Sequence, residues 1–196
     1  MAQKRKDWNG LISGFKASDL VFLDESGCNT DMTRQYAYSL GGSRAVDFAP
    51  LPKPKNTTIL SSIQLDGTLR YTTFSGGTTV ERFKRYLETD LLPHLNGNSV
   101  LIMDNMKSHH AKAIKNLLDS SEIRYIYLPP YSPDLNPIEK LWSTVKSFLR
   151  NSRHGPWMLF RTRYNALFRQ FRLLTAQAGS IPAAIRLIFE NCYNNQ

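Results

Sequence analysis

The amino-acid sequence predicts an α/β domain whose mixed sheet opens with a three-strand antiparallel meander, continues with crossover strands and is flanked by helices. Three observations predict it. Two β-rich segments, residues 57–65 and 69–74, are separated by Asp66-Gly67, the strongest short hairpin signal in the chain. Two short apolar runs, Leu20-Val-Phe-Leu23 and Val100-Leu-Ile-Met103, each run straight into an aspartate. Elsewhere apolar residues recur at helical spacing in three separate segments.

In chain order, the run at 20–23 is flanked by polar residues and reads as a buried strand ending at Asp24. Residues 36–40 offer a short second strand before the Gly41-Gly42 turn, and residues 49–56, with three prolines and two lysines, form a loop. After the 57–74 hairpin, Val80, Phe83, Leu87 and Leu91 fall on one helical face, which predicts a helix over 78–92 ended by Pro93. Residues 99–103 form a second buried strand leading to Asp104, 111–118 a helix and 123–128 a strand. The string PPYSPDLNP is a proline-punctuated loop. Asn136 caps the last helix with Pro137 in its first position, and Ile138, Leu141, Trp142, Val145 and Leu149 form its apolar stripe.

Composition narrows the function classes. A chain of 196 residues suits one well-packed domain better than two, and 41% hydrophobic with 21% charged residues is ordinary for a globular protein. The apolar runs are too short to cross a bilayer, and the basic start MAQKRKDWNG lacks the apolar stretch of a signal peptide. Cys28 and Cys192 are too few and too far apart for a disulfide framework or a zinc site, so a reducing cytoplasm is the expected compartment. The net charge of +9 points to a polyanionic partner, but residues 150–196 carry seven Arg, no Lys and a single acid, Glu190, while the first 149 residues hold 18 bases against 15 acids. The excess sits in the tail, and composition alone does not establish nucleic-acid binding.

The chemistry is carried by three acids. Ligands of open α/β sheets gather beyond the carboxyl ends of the strands. If the two aspartate-terminated strands are parallel neighbours, Asp24 and Asp104 stand side by side there, and such a pair repels unless a cation or proton relieves it. Glu139 lies in the first turn of the last helix, on the face opposite the Ile138/Leu141/Trp142 stripe, with Ser143 and Lys146. Three hard oxygen ligands without Cys or His partners suit Mg²⁺ or Mn²⁺. Two such ions, typically ~4 Å apart, can activate a water or sugar hydroxyl and stabilise a leaving oxygen in phosphodiester chemistry.

Taken in order, VFLDES, LIMDN with a His pair four residues after the Asn, and LPPYSPDLNPIEKLW resemble the DDE transposases of the mariner-like superfamily, in particular their bacterial insertion-sequence branch. The 34 residues between Asp104 and Glu139 match that branch, and TDMTR, ending at Arg34, resembles the family's stretch after the first Asp. The likeness covers roughly residues 8–150. It implies an RNase H-like fold and catalytic, metal-binding roles for Asp24, Asp104 and Glu139 with two Mg²⁺ (or Mn²⁺) ions. It also implies DNA strand cleavage and strand transfer on transposon-end and target DNA, a homodimer, and a nucleoid-associated cytoplasmic location. The expected organisation is a lead-in over 1–18, the catalytic domain over 19–150 and an atypical tail over 151–196.

Several residues carry two readings. Glu139 can tie the helix start as the acid of a capping box begun by Asn136. Asn105 can orient a phosphate or close a turn. His109 and His110 can touch DNA or order the site, though a solvated helix start accounts for them as well. Lys107, Lys112 and Lys115, like Lys53 and Lys55, are a phosphate track or a solvated face. The DNA-contact expectations are Arg34, Asn105, Lys107, His109 and Lys146. Glu25 points to the other face of a continuing strand and stays outside the metal set, and Trp142 belongs to the core.

The resembled family carries helix-turn-helix modules ahead of the first Asp, and none fits the 23 residues before Asp24. This sets a rival expectation: the second reading frame of a split gene, or a decayed fragment that at most binds DNA or another subunit. The tail carries a related expectation, that residues after about 150 are read out of frame. With permitted codons, residues 154–160 and 174–182 read Arg-Thr-Val-Asp-Ala-Leu and Asp-Cys-Thr-Gly-Trp-Phe-Asn-Pro in one common alternative frame, strings that resemble the family's closing segments. The competing reading is a divergent helix, since Leu167, Phe168, Phe171 and Leu174 fall at helical spacing. The gene's nucleotides test this: we expect both strings in that frame, and stop codons ahead of them or their absence would end the idea.

Overall fold

Asp66 and Gly67 close the hairpin in the way their chemistry dictates. The Gly67 N–H bonds to the Gln64 carbonyl at 3.0 Å, Gly67 takes φ +81°, and the Gln64 N–H returns to the Thr68 carbonyl at 3.0 Å. The Asp66 carboxylate accepts from the Thr68 N–H at 2.7 Å and its hydroxyl at 2.9 Å. A turn of this kind followed by a left-handed residue is a common hairpin solution, and glycine supplies the left-handed step without steric cost. The turn joins β2 (Asn56–Gln64) to β3 (Leu69–Ser75).

The computed structural model describes residues 2–29, 32, 36–46 and 56–151. Arg34, Lys53, Lys55 and the tail beyond 151, each the subject of an expectation above, lie outside the described residues. The described sheet has five strands in the order β3-β2-β1-β4-β5, with β1 (Leu20–Asn29), β4 (Val100–Met103) and β5 (Arg124–Tyr127). β1 pairs antiparallel with β2 and parallel with β4, and β4 pairs parallel with β5. This is the meander followed by crossover strands.

Side-chain alternation sends the two faces of the sheet to two helical layers. On one face Leu20, Phe22, Ile59, Ile63, Val100 and Ile102 pack with Trp8 and Ile12 of α1 (Ala2–Ile12) and with the stripe of α4 (Ile138–Asn151). On the other, Val21, Leu23, Leu60, Leu101 and Met103 meet Phe83 and Tyr86 of α2 (Val80–Tyr86), Leu87 and Leu91 just beyond it, and Ile114 and Leu118 of α3 (Lys112–Ser120). The Thr79 hydroxyl caps α2 by accepting from the Arg82 N–H at 3.3 Å. The helix then loosens into a wide turn over Leu87–Leu91 and a tight one over Leu92–His94, where Pro93 has no N–H to continue the ladder.

Three expectations change. Asp24 does not end its strand: β2 holds β1 by backbone pairing as far as Asn29↔Asn56, whereas β4 accompanies it only from Leu20 to Phe22. Residues 36–40 form no strand, because β2 already occupies the edge that a returning strand would use, and Tyr36, Tyr38 and Leu40 are exposed. The lead-in contains a helix, α1, whose Trp8 and Ile12 are buried.

Two glycines should respond with opposite sign. Gly67→Ala, at φ +81°, should lower unfolding stability by about 1–2 kcal/mol. Gly10→Ala, inside α1 with nothing within 4 Å of the added carbon, should raise it by about 0.5–1 kcal/mol. Urea denaturation of both variants checks the pair.

Candidate active site

The parallel register of β1 and β4 decides where the acids meet. Leu20 lies opposite Val100 and Phe22 opposite Ile102, so two further steps bring Asp24 level with Asp104, the first residue beyond β4. The third acid, Glu139, is in the first turn of α4. Asp24, Asp104 and Glu139 line one cavity of about 430 Å³, walled by residues of the PPYSPDLNP loop.

The start of α4 leaves the Glu139 carboxylate free. Asn136 accepts the Ile138 N–H on its side chain at 3.4 Å and the Glu139 N–H on its carbonyl at 3.1 Å. Its own N–H goes to the Pro133 carbonyl at 3.0 Å, so the reciprocal bond of a capping box is not made. Among the described residues the Glu139 side chain makes no hydrogen bond or ion pair. The loop before it is fixed from α1: Arg5 forks onto the Asp134 carboxylate and donates to the Ser132 hydroxyl at 3.1 Å.

Asp24 is buried and accepts a 2.9 Å hydrogen bond on Oδ2 from the Trp142 indole N–H. Burial pushes its carboxyl up to about 7, against the Trp142 and Glu25 N–H groups, and the nearby charges of Glu139 and Glu25 add to the rise. Asp104 is half-exposed. Burial pushes it up, but hydrogen bonds from His109 and the Met106 N–H, with the charges of His109 and His110, bring it below its ordinary value. Its Oδ1 takes His109 Nδ1 at 2.9 Å and the Met106 N–H at 3.0 Å, while Oδ2 has no partner among the described residues.

His109 is fully buried and stacks on Phe83 with ring centroids 4.3 Å apart. Its Nε2 meets Glu25 Oε1 at 3.1 Å. Burial alone lowers a histidine, yet Asp104 and Glu25 together hold this one up at about 10. Ligand atoms of Glu25, Asp104 and His109 fall within 4.8 Å of one another, close enough to share an ion. Because both ring nitrogens already face carboxylate oxygens at hydrogen-bond distance, an imidazolium bridging two acids accounts for the trio without a cation.

The donor set of the cavity itself suits a divalent ion. It presents carboxylates from three elements, one of them raised by burial and by like charge, the situation that a hard cation relieves. The family model for DDE superfamily endonucleases matches residues 19–156. The chain belongs to that family. No curated protein sequence matches it. Among solved structures, this DDE-family chain is similar to the pre-cleavage Mos1 transpososome, with TM-score 0.74 and 18% identity over 98% of this chain and 60% of that one. The Mos1 mariner paired end complex with Mn gives 0.73 and 19% over the same shares of each chain, 98% and 60%. The isolated catalytic domain of Mos1 mariner transposase gives 0.65 and 15%, covering 98% of this chain and 90% of that one. The likeness shows an RNase H-like fold, and the chain spans about 60% of the length of the first two chains.

Other sequence-predicted residues fall as follows. Asn105 lines the cavity, donates to the Leu128 carbonyl and accepts from His110 at 3.2 Å, so its side chain ties the segment after β4 to the one after β5. Lys107, Lys112 and Lys115 are exposed. Lys146, half-buried on α4, lies two turns beyond Glu139 and faces Cys28 electrostatically. The solvated placement of His109 is corrected: with 0% exposure and both nitrogens engaged, it has no surface to offer DNA. Sequence reading also missed Trp142 as a polar partner, although a buried indole needs an acceptor for its N–H.

The Asp24 shift sets a sign for stability. A carboxyl raised from 3.8 to about 7 in the folded chain binds its proton more tightly there than when unfolded. Its contribution is therefore full at low pH and is lost as pH climbs through that window. In EDTA, the stability of the wild type relative to Asp24→Asn should fall between about pH 4 and pH 7. A flat difference across denaturation curves at several pH values would show that Asp24 is not buried as described.

Proposed function

We propose that this chain is the catalytic domain of a DNA transposase of the mariner-like superfamily, bacterial insertion-sequence branch. In this reading Asp24, Asp104 and Glu139 are its catalytic acids. The observation that carries it is the convergence of three acids, from β1, the end of β4 and the start of α4, on one cavity in a DDE-family fold. Asp24, Asp104 and Glu139 would together hold two Mg²⁺ or Mn²⁺ ions. Solved Mos1 complexes with Mn and with Mg support the choice of metal. When bound, the ions supply charge for a developing oxyanion and an acidified water or sugar hydroxyl.

The chain's own residues set the rest. Trp142 holds one Asp24 oxygen, so the carboxylate keeps a fixed rotamer. The prolines at 129, 130 and 133 stiffen the wall against which a DNA backbone would lie. Lys107, exposed three residues beyond Asp104, would meet a phosphate in this reading. The substrates would be transposon-end and target DNA and the working form a homodimer. The Mos1 structure with a left transposon end is a paired-end complex, which supports both. A cytoplasmic, nucleoid-associated location fits, and no described helix is long and apolar enough to cross a membrane. The lead-in/catalytic-domain/tail division over 1–18, 19–150 and 151–196 belongs to the same reading.

A second reading, a remnant that binds DNA or another subunit without cutting it, is favoured by the lysine-free tail. One assay separates the two. Supercoiled DNA should be nicked in Mg²⁺ or Mn²⁺ and not in EDTA, and Asp24→Asn, Asp104→Asn and Glu139→Gln should each lower the rate by at least ~10³. Near wild-type nicking by any of the three would overturn the assignment; wild-type protein that binds DNA but never nicks it would establish the remnant.

A further inference from the structure

Asp104 stands one residue beyond β4, half-exposed and past the last backbone pairing of β4 with β1. A carboxylate left to rotate there loses entropy each time it captures a cation. Its Oδ1 is nevertheless held twice, by the Met106 N–H at 3.0 Å and by His109 Nδ1 at 2.9 Å. His109 is in turn held on every side. It is 0% exposed, lies against Phe83 at 4.3 Å, gives its carbonyl to the Tyr127 hydroxyl at 3.0 Å and sets Nε2 against Glu25 Oε1 at 3.1 Å. Glu25 adjoins Asp24 on β1. The path Glu25–His109–Asp104 therefore ties the rotamer of one cavity acid to the strand that carries the other.

We propose that His109 and Glu25 are positioning residues that fix Asp104 with Oδ2 left open to a divalent cation. The inference rests on the metal-binding reading of Asp104 given above and adds what makes that reading geometrically possible. Neither residue touches the substrate: Glu25 faces the α2/α3 side of the sheet and the His109 side chain is sealed in that core. Partners behind a metal ligand commonly set affinity by 10–100-fold, because they pre-organise the ligand.

The geometry makes a specific ranking. An asparagine amide at 109 falls near the place of Nδ1 and keeps the bond to Asp104, whereas a glutamine amide reaches toward Nε2 and keeps only Glu25. Mn²⁺ binding to the full chain, read from the electron-spin signal of free Mn²⁺ without DNA, should weaken roughly 10–100-fold in His109→Gln and only about threefold in His109→Asn. Glu25→Ala, which removes the acceptor for Nε2, should also weaken binding several-fold, and wild-type affinity in it would take Glu25 out of the positioning role. Circular dichroism identifies the folded fraction, and affinities are compared per folded molecule, so that a merely structural role would leave them equal. Wild-type affinity in His109→Gln, or equal losses in the Asn and Gln variants, would overturn the positioning role while Asp104→Asn still abolished binding. If wild type and Asp104→Asn bind Mn²⁺ alike, the metal site itself is wrong and the positioning role falls with it.

Discussion

One hydrogen bond, from the Trp142 indole to Asp24, joins α4 to β1 at the edge where the three acids meet. Trp142 belongs to the apolar stripe of α4, so its ring is already fixed by the core when its N–H meets the carboxylate. That contact sets the rotation of α4 about its axis. Rotation in turn decides whether Glu139, three residues earlier, looks into the cavity or away from it. At 3.6 residues per turn Glu139 lies about 60° around the axis from Trp142, at the border of the stripe and not on the opposite face expected from the sequence, so fixing one places the other. The acid-lined edge of the cavity is thus assembled by packing, with a polar atom at its boundary.

The electrostatics follow from the same closeness. Asp24, Glu25 and Glu139 are like charges around a largely buried position, and the fold does not disperse them. It sorts them by face instead. Glu25 is turned through the sheet to an imidazolium, whereas Asp24 and Glu139 remain on the cavity side, with Asp24 held by the Trp142 indole and Glu25 backbone N–H groups. The pair on one face is neutralised, while the acids on the other keep the repulsion that adds to the rise at Asp24. A fold that minimised its own repulsion would not leave the second face in this state.

Much of this architecture was legible in the sequence because it rests on local signals. Asp66-Gly67 names its turn, the stripe from Ile138 to Leu149 names a helix face, and two apolar runs ending in aspartate name a sheet edge. What was not legible depends on partners distant in the chain. β1 runs on past Glu25 through Ser26 and Gly27, residues with no apolar pattern, as far as Asn29 because the β2 backbone holds them. α1 offers a core only Trp8 and Ile12 and contains a glycine, too little for periodicity to register. His109 stands in a polar string, Lys107-Ser-His-His110, and only the arrival of Glu25 from 84 residues away explains why it is buried.

The Arg5 fork onto Asp134 bears on where this unit begins. The family model begins its match at residue 19, just before β1. The cohesive body starts earlier, because α1 contributes two core side chains and clamps the loop that forms the cavity wall. A piece trimmed to the recognisable segment would keep every acid in its sequence and still lack the buttress behind that wall. Evolutionary bookkeeping and mechanical integrity draw the same domain with different edges.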